Sequence, residues 1–196
     1  MKDIVIASNN AGKIREIEAI LQPLGLKPVA QSVFNVPEAD EPYPTFVENA
    51  LTKARNAARL TGMPALADDS GICVNALQGA PGVISARYAG EPKSDARNNQ
   101  KLVEALKHEE DRSAYYFAVM VLVRHADDPQ PLIAEGRWAG EVIDAPRGDN
   151  GFGYDPYFFL PDLGRTAAEL DAHEKNLVSH RGKALRRMAA LIKEQW

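Results

Sequence analysis

Cysteine is almost missing from this chain: Cys73 is the single one in 196 residues. That excludes disulfides within the chain and any cluster of thiolate metal ligands. Long apolar runs are missing too, since none approaches the roughly 20 residues a helix needs to span a bilayer. The start, Met1-Lys2-Asp3 followed by strand-like residues, lacks the hydrophobic stretch of a signal peptide, so the cytoplasm is the expected location. A basic excess is also absent. Lys and Arg number 23 against 27 Asp and Glu, a net charge of -4, so no positive field suggests wrapping DNA or RNA. No internal repeat or low-complexity tract appears. What remains, 45% hydrophobic and 26% charged residues, is ordinary for a globular protein long enough to bury a core. A single domain over 1–196 is expected.

The chain is organised around Leu66-Ala67-Asp68-Asp69-Ser70-Gly71. An apolar run from Met63 enters it and Ile72 to Val74 leaves it, which places two adjacent carboxylates where one strand or turn hands over to the next. Consecutive side chains at a strand end point to opposite sides, so Asp68 and Asp69 should do different jobs. The same residues also suit a plain Asp-Ser-Gly turn.

Before that point, Asp3 to Ala7 reads as a buried strand. It runs into the polar loop Ser8-Asn9-Asn10-Ala11-Gly12-Lys13, and then Ile14, Ile17, Ile20, Leu21 and Leu24 recur at helical spacing. Strand, loop and helix in this order aim backbone N–H groups and a helix dipole at an anion. Asn and Gly tolerate the left-handed region, and Lys13 adds a compact positive charge for phosphate. It is not a Walker A loop, which needs an earlier glycine and a Ser or Thr where Ile14 stands. A plain helix N-cap explains the pattern equally well. Pro28 to Phe34 reads as a second strand and Pro37 to Pro44 as an acidic loop. Thr45-Phe46-Val47-Glu48 is a capping box opening a helix that stops at Gly62. Glu48 is explained by the box, or by metal ligation.

After the acidic pair, Leu77 to Gly90 reads as a long glycine-bearing loop, either a flap or a mobile connection. Ser94 caps a helix carrying Leu102, Val103 and Leu106. Tyr115–Val123 and Leu132–Trp138 read as antiparallel strands around the turn at Asp127-Asp128-Pro129, with Arg124 and His125 facing solvent. Gly148 to Asp155 is a flexible loop with Phe152 between glycines. It either leaves room for a flat ring to stack on Phe152, with Asp155 accepting from that ligand's edge, or is a glycine hairpin with a buried Phe. Tyr157–Leu160 reads as a last strand and Thr166–Glu169 as a second capping box. Ser179 is the N-cap of a final helix with Ala184, Leu185, Met188, Leu191 and Ile192 inward. His180 and Arg181 would then oppose its dipole, which favours a ligand-binding reason for them.

Six segments in order resemble the Ham1/RdgB family of inosine/xanthosine triphosphate pyrophosphatases. They are Ser8–Lys13, Thr45–Ala50, Ala67–Gly71, Ala80–Tyr88, Gly151–Pro156 and Ser179–Gly182. The resemblance covers essentially the whole chain. It implies an α/β fold with an elongated mixed sheet flanked by helices, and two lobes around a central nucleotide cleft. It further implies a magnesium-dependent homodimer that hydrolyses non-standard purine nucleoside triphosphates (ITP, dITP, XTP) to the monophosphate and pyrophosphate.

By the same resemblance, Ser8, Asn9, Asn10, Ala11, Gly12 and Lys13 hold the triphosphate and Ser70 touches the nucleotide. Phe152, Gly153, Tyr154 and Asp155 hold base and sugar, and Lys175, His180 and Arg181 read the base edge. Asp69 is the general base or a magnesium ligand, with Glu48 the other candidate ligand; whether Asp68 or Asp69 is the base stays open at this level. Pro42-Tyr43-Pro44 is the one departure from the family pattern, and it puts the geometry of Glu41 in doubt. Three rivals are a Maf-like nucleotide pyrophosphatase, a nucleotide sensor without turnover, and a nucleic-acid-binding module, the last opposed by the acidic charge. No nucleic-acid or membrane partner is expected.

Overall fold

The apolar run at the start of the chain forms strand β1 (Lys2–Ile6) of a seven-stranded sheet in a computed structural model that describes residues 2–196. Ile4, Val5 and Ile6 are fully buried, as a strand covered on both faces requires. β1 pairs in parallel with β2 (Leu26–Ala30) on one side and β3 (Ala65–Val74) on the other. The order across the sheet is β2-β1-β3-β4-β5-β6-β7, with β4 at Ser113–Val123, β5 at Leu132–Val142, β6 at Phe158–Leu160 and β7 at Arg165–Thr166. The β5–β6 and β6–β7 pairs are antiparallel, so the sheet is mixed. Helices α1 (Ala11–Leu21), α2 (Phe46–Thr61), α3 (Asp95–Ala105), α4 (Ala172–Val178) and α5 (His180–Gln195) accompany it. No helix among the described residues is long and apolar enough to cross a membrane.

The chain forms two compact units, each with its own core. The first comprises the residues up to Asp69, Ala118–Gly136 and Arg181–Trp196. In it Ile17 and Leu21 of α1 pack with Ile4, Ile6, Leu66, Met120 and Leu122 of the strands and with Leu185 and Met188 of α5. The second comprises Ser70–Phe117 and Arg137–His180. Its core joins Ile72, Val74, Leu102, Leu106, Tyr116, Trp138, Phe158 and Leu170. β5 alternates buried and exposed residues throughout, the period-two pattern of a strand covered on one face.

Several expectations are corrected. Asp68-Asp69-Ser70-Gly71 is neither a turn nor a junction, because β3 runs unbroken through it. Gly71 is needed for closeness rather than for a turn: a Cβ there would lie 2.2 Å from the Gly82 carbonyl oxygen and 2.5 Å from Ser85 Oγ. Pressed against it is a 3-10 helix, Gly82–Arg87, inside the stretch read as a loop. Ser85 Oγ accepts from Ile72 N at 3.0 Å and donates to Gly82 O at 2.6 Å, which ties that helix to the strand.

Strand β2 stops at Ala30, four residues short of the expected end. Gln31–Phe34 coil into a 3-10 turn closed by Asn35 in the left-handed region, φ 53°, where Asn is tolerated. Ala11, Gly12 and Lys13 belong to the first turn of α1 rather than to a loop, since Asn10 is its N-cap and accepts from Lys13 N at 3.1 Å. Arg124 and His125 are exposed, as expected, and the Arg124 guanidinium and backbone N–H donate to Asp128, whose carboxylate also accepts from Gln130 N and so holds the β4–β5 connection. The Thr166–Glu169 box is present but opens a 3-10 turn, and an unforeseen box at Asp171–Glu174 opens α4.

Gly71→Ala is expected to cost about 2 kcal/mol or more, because the clash is with backbone and cannot be relieved by a rotamer. Urea unfolding of the variant checks it; an unchanged midpoint would remove the close approach as the reason for this glycine.

Candidate active site

Asp68, at the centre of β3, is 1% exposed and is flanked by cations from two helices of the same unit. Lys13 Nζ, on the first turn of α1, lies 3.0 Å from Asp68 Oδ2. The Arg181 guanidinium, on the first turn of α5 and equally buried, donates Nε to the same oxygen at 3.4 Å and Nη1 to Glu16 Oε2 at 2.7 Å. Burial alone would raise the Asp68 carboxyl, but Lys13, Arg181 and Lys53 outweigh it and hold the group far below the usual carboxylate range. Asp68 is therefore a fixed charge. Burial lowers Lys13, helped by Arg181 and Lys53 and only partly opposed by Asp68.

Asp69 behaves differently. Burial raises its carboxyl from 3.8 to about 6; Lys53 and Lys13 pull it down, and repulsion from Glu41 and Asp68 offsets most of that pull, so the burial effect survives. Asn49 of α2 donates Nδ2 to Asp69 Oδ2 at 3.3 Å and also brackets both backbone groups of Tyr43, its Oδ1 accepting from the N–H and its Nδ2 donating to the carbonyl. That bracket anchors the Pro-rich segment carrying Glu41, whose Oε1 is 2.5 Å from Lys53 Nζ. Lys13, Lys53 and Arg181 thus stand against Asp68, Asp69, Glu41 and Glu16. One negative charge exceeds the cations, but it is burial rather than that surplus that raises Asp69.

A second group lies in the other unit. Asp155, buried, accepts from Lys175 Nζ at 2.6 Å, Phe152 N at 2.9 Å and Tyr116 hydroxyl at 3.2 Å. A Cβ on Gly151 would fall 2.1 Å from Asp155 Oδ2, so only glycine lets the loop wrap the carboxylate. Lys175 Nζ sits 4.7 Å from the centre of the Phe152 ring, and that ring is 39% exposed. His180 is stacked on Tyr116, centroids 4.7 Å apart and planes 9° apart, with Trp138 beyond at 6.4 Å.

The Ham1 family model matches residues 4–191, nearly the whole chain. The chain belongs to the Ham1 family. It is 65% identical over 194 residues to a dITP/XTP pyrophosphatase of Nitrosomonas europaea, covering 99% of this chain and 96% of that protein. With one of Neisseria meningitidis it shares 60% over 183 residues, 93% of this chain and 92% of that protein. Among solved structures, a HAM1 protein from Coxiella burnetii is 50% identical with a TM-score of 0.94, covering 99% of this chain and 100% of that one. The Ham1 protein of Staphylococcus aureus is 38% identical with a TM-score of 0.89 over the full length of both chains.

The residues expected to act in this Ham1 protein are thus gathered in two sets. Ser8 Oγ accepts from Asn10 N at 3.1 Å, and Asn9 bridges Glu38 and Gln31 beside the α1 N-terminus. Lys13, Asp68 and Asp69 join them in the first unit; half-buried Ser70 follows on β3 as the first residue of the second unit. Phe152, Gly153, Tyr154, Asp155, Lys175 and His180 form the second set. Arg181, grouped with the base-reading residues, donates to Asp68 and Glu16 in the first unit. Glu48 is exposed, its Oε2 accepting from the Thr45 hydroxyl at 2.5 Å, which is the helix-capping role. Sequence reasoning missed Lys53, although it lies four residues after Asn49 and so on the same face of α2. It missed Tyr116 and Trp138 as well, which the strand pattern marks only as buried aromatics.

Among the described residues no three His, Cys, Asp or Glu side chains form a group able to hold a metal by themselves. The donor set nevertheless fits a hard cation that keeps its own waters and needs one or two carboxylates. Asp68 Oδ1 is buried with no hydrogen-bond partner among the described residues, and the cluster carries surplus negative charge.

The two carboxylates should respond oppositely to neutralisation. The carboxyl of Asp69 titrates near 6 in the folded state against 3.8 outside it, so the destabilisation grows as pH rises between those values and is complete above the upper one. At pH 8, Asp69→Asn is expected to gain about 2 kcal/mol, or roughly 5 °C in Tm. Asp68→Asn, which leaves Lys13 and Arg181 without their shared partner, is expected to lose about 3–5 kcal/mol. Thermal melts at pH 8 read both; equal shifts would refute the division of roles.

Proposed function

We propose that this Ham1 protein hydrolyses non-standard purine nucleoside triphosphates, among them dITP, XTP and ITP, to the monophosphate and pyrophosphate. The observation that carries the reading is the pairing of a permanently ionised Asp68 with an Asp69 raised to about 6, among Lys13, Lys53 and Arg181. A carboxyl poised near the working pH suits a general base, and a bed of cations suits a polyphosphate.

Asp69 takes a proton from water as the water oxygen bonds to the α phosphorus and the bond to the bridging α–β oxygen breaks. Pyrophosphate leaves with that oxygen. Lys13, Lys53 and Arg181, with the N–H groups at the start of α1, bear the charge that builds on the phosphates. Arg181 belongs to this task by its contacts with Asp68. Magnesium is the metal that suits these ligands, with Asp69 and Glu48 its candidate protein ligands; when bound, it offsets charge on the leaving pyrophosphate.

The base falls to the second set. The exposed face of Phe152 offers a stacking surface, and Lys175, aimed by Asp155, donates to the C6 oxygen of hypoxanthine or xanthine. Adenine presents an amino donor at that position, so donor would meet donor and buried groups would stay unpaired. His180, stacked on Tyr116, is a further donor for the base edge. The family resemblance supports a cytoplasmic homodimer; sedimentation velocity of the purified chain tests the dimer.

Pyrophosphate release from dITP, XTP, ITP, GTP and ATP, with magnesium and with EDTA, tests the activity. Fast magnesium-dependent release from dITP, XTP and ITP and little from ATP is expected; equal rates on all five would overturn it. Asp69→Asn should lower kcat by about 100-fold or more. In the wild type kcat/KM should fall tenfold per pH unit below about 6, where Asp69 gains its proton. Lys175→Ala should raise KM for dITP about tenfold with less effect on kcat.

A further inference from the structure

The loop carrying Phe152 is held by a helix that no part of the reaction scheme uses. Asp95, the first residue of α3, accepts from Gly153 N through Oδ2 at 2.8 Å. Asn99, one turn later on the same face, donates Nδ2 to Gly153 O at 2.8 Å. Both backbone polar groups of the residue after Phe152 are therefore taken by side chains of one helix. Asn99 is buried, and the same Nδ2 also donates to Asp95 O at 2.9 Å, which joins the two clamping residues. Asn99 Oδ1 is buried with no partner among the described residues, so its amide is committed to these two carbonyls at the expense of its own acceptor. On the other side of Phe152, its N–H is held by Asp155. Farther on, the Tyr154 hydroxyl donates to Ser85 O at 2.7 Å.

We propose that Asp95 and Asn99 are positioning residues for purine recognition, clamping Gly153 so that the ring of Phe152 is fixed for the base. The inference rests on the proposed stacking role of Phe152. Phe152 stands on a glycine-flanked loop with its ring 39% exposed, so the backbone on either side sets where the ring lies. Without the clamp the loop samples other conformations and the stacking surface is present only part of the time. Affinity for the base falls by that fraction. The phosphates and the proton transfer to Asp69 do not depend on it, so turnover of bound substrate is retained.

Asp95 is exposed, and Asp95→Ala leaves both cores intact; Asn99→Ala removes the buried half of the clamp. Each is expected to raise KM for dITP about three- to tenfold with kcat within about twofold. Asp95→Asn, which keeps an acceptor, should restore KM to near the wild-type value. The inhibition constant of inorganic tripolyphosphate, which has no base, should be unchanged in all three. In the ligand-free protein, hydrogen exchange at the amides of residues 151–154 should quicken in Asp95→Ala and not elsewhere in the second unit. Phe152→Ala serves as the reference. If it raises KM while Asp95→Ala and Asn99→Ala do not, the clamp is refuted and the stacking role stands. If Phe152→Ala itself leaves KM unchanged, the stacking role fails and the clamp proposal with it. A parallel loss of tripolyphosphate affinity would also overturn the clamp, since the effect would then not be confined to the base.

Discussion

The buried carboxylate of Asp68 is the interaction on which the first unit depends. It sits in mid-strand on β3, where no charge could remain without compensation, and two cations meet at one of its oxygens. Each cation opens a helix. Lys13 is in the first turn of α1 and Arg181 in the first turn of α5, positions where a positive charge opposes the helix dipole. The ion pairs with Asp68, and with Glu16 for Arg181, offset that penalty and set where both helices begin relative to β3. The same contacts keep Lys13 close enough to Asp69 to act on it together with Lys53. The residues that stabilise the unit are the ones to which the proposed phosphate binding is assigned.

Adjacent aspartates on one strand are made unlike by their surroundings. Asp68 has cations within contact distance and stays ionised; Asp69 accepts from the Asn49 amide and is raised by its burial. Strand geometry is what allows this, because alternate side chains leave on opposite faces and so enter separate environments. A turn at this point, where successive side chains share an environment, would have kept the two more alike.

A single device recurs in the molecule: a side-chain amide or carboxylate that takes the backbone groups of an irregular segment. Asn49 brackets Tyr43, Asn98 accepts from Ala89 N and donates to Ala86 O, and Asp95 with Asn99 brackets Gly153. Each anchor is on a helix, and the targets are loop residues (Tyr43, Ala89, Gly153) or, at Ala86, the end of the 3-10 helix Gly82–Arg87. Backbone groups in such segments must find partners, and a fixed helix face supplies them at defined positions. Loops that read as mobile in the sequence are held in this way.

The sequence by itself determined the elements whose signal is local. β1, β4 and β5 follow from apolar runs or alternation, α2 and α3 from Thr45, Ser94 and Gly62 as caps, and the position of the proposed site from Asp68-Asp69 and the flanking motifs. Tertiary structure decided what local signals cannot carry. β3 continues through Gly71 because a second segment packs where its side chain would be. β2 ends early because Asn35 closes a turn while the Gln31 side chain reaches Asn9. Arg181 meets Asp68 and Glu16, though only Ser179 and His180 separate it from the end of the helix that carries Lys175. Three residues from Val178 to Arg181 are enough to pass from one helix axis to the next, and direction across such a junction is not written in spacing. The raised carboxyl of Asp69 comes from its burial, and it is trimmed by Lys53 and reinforced by Glu41, which are 16 and 28 residues away along the chain and act on it only through folding.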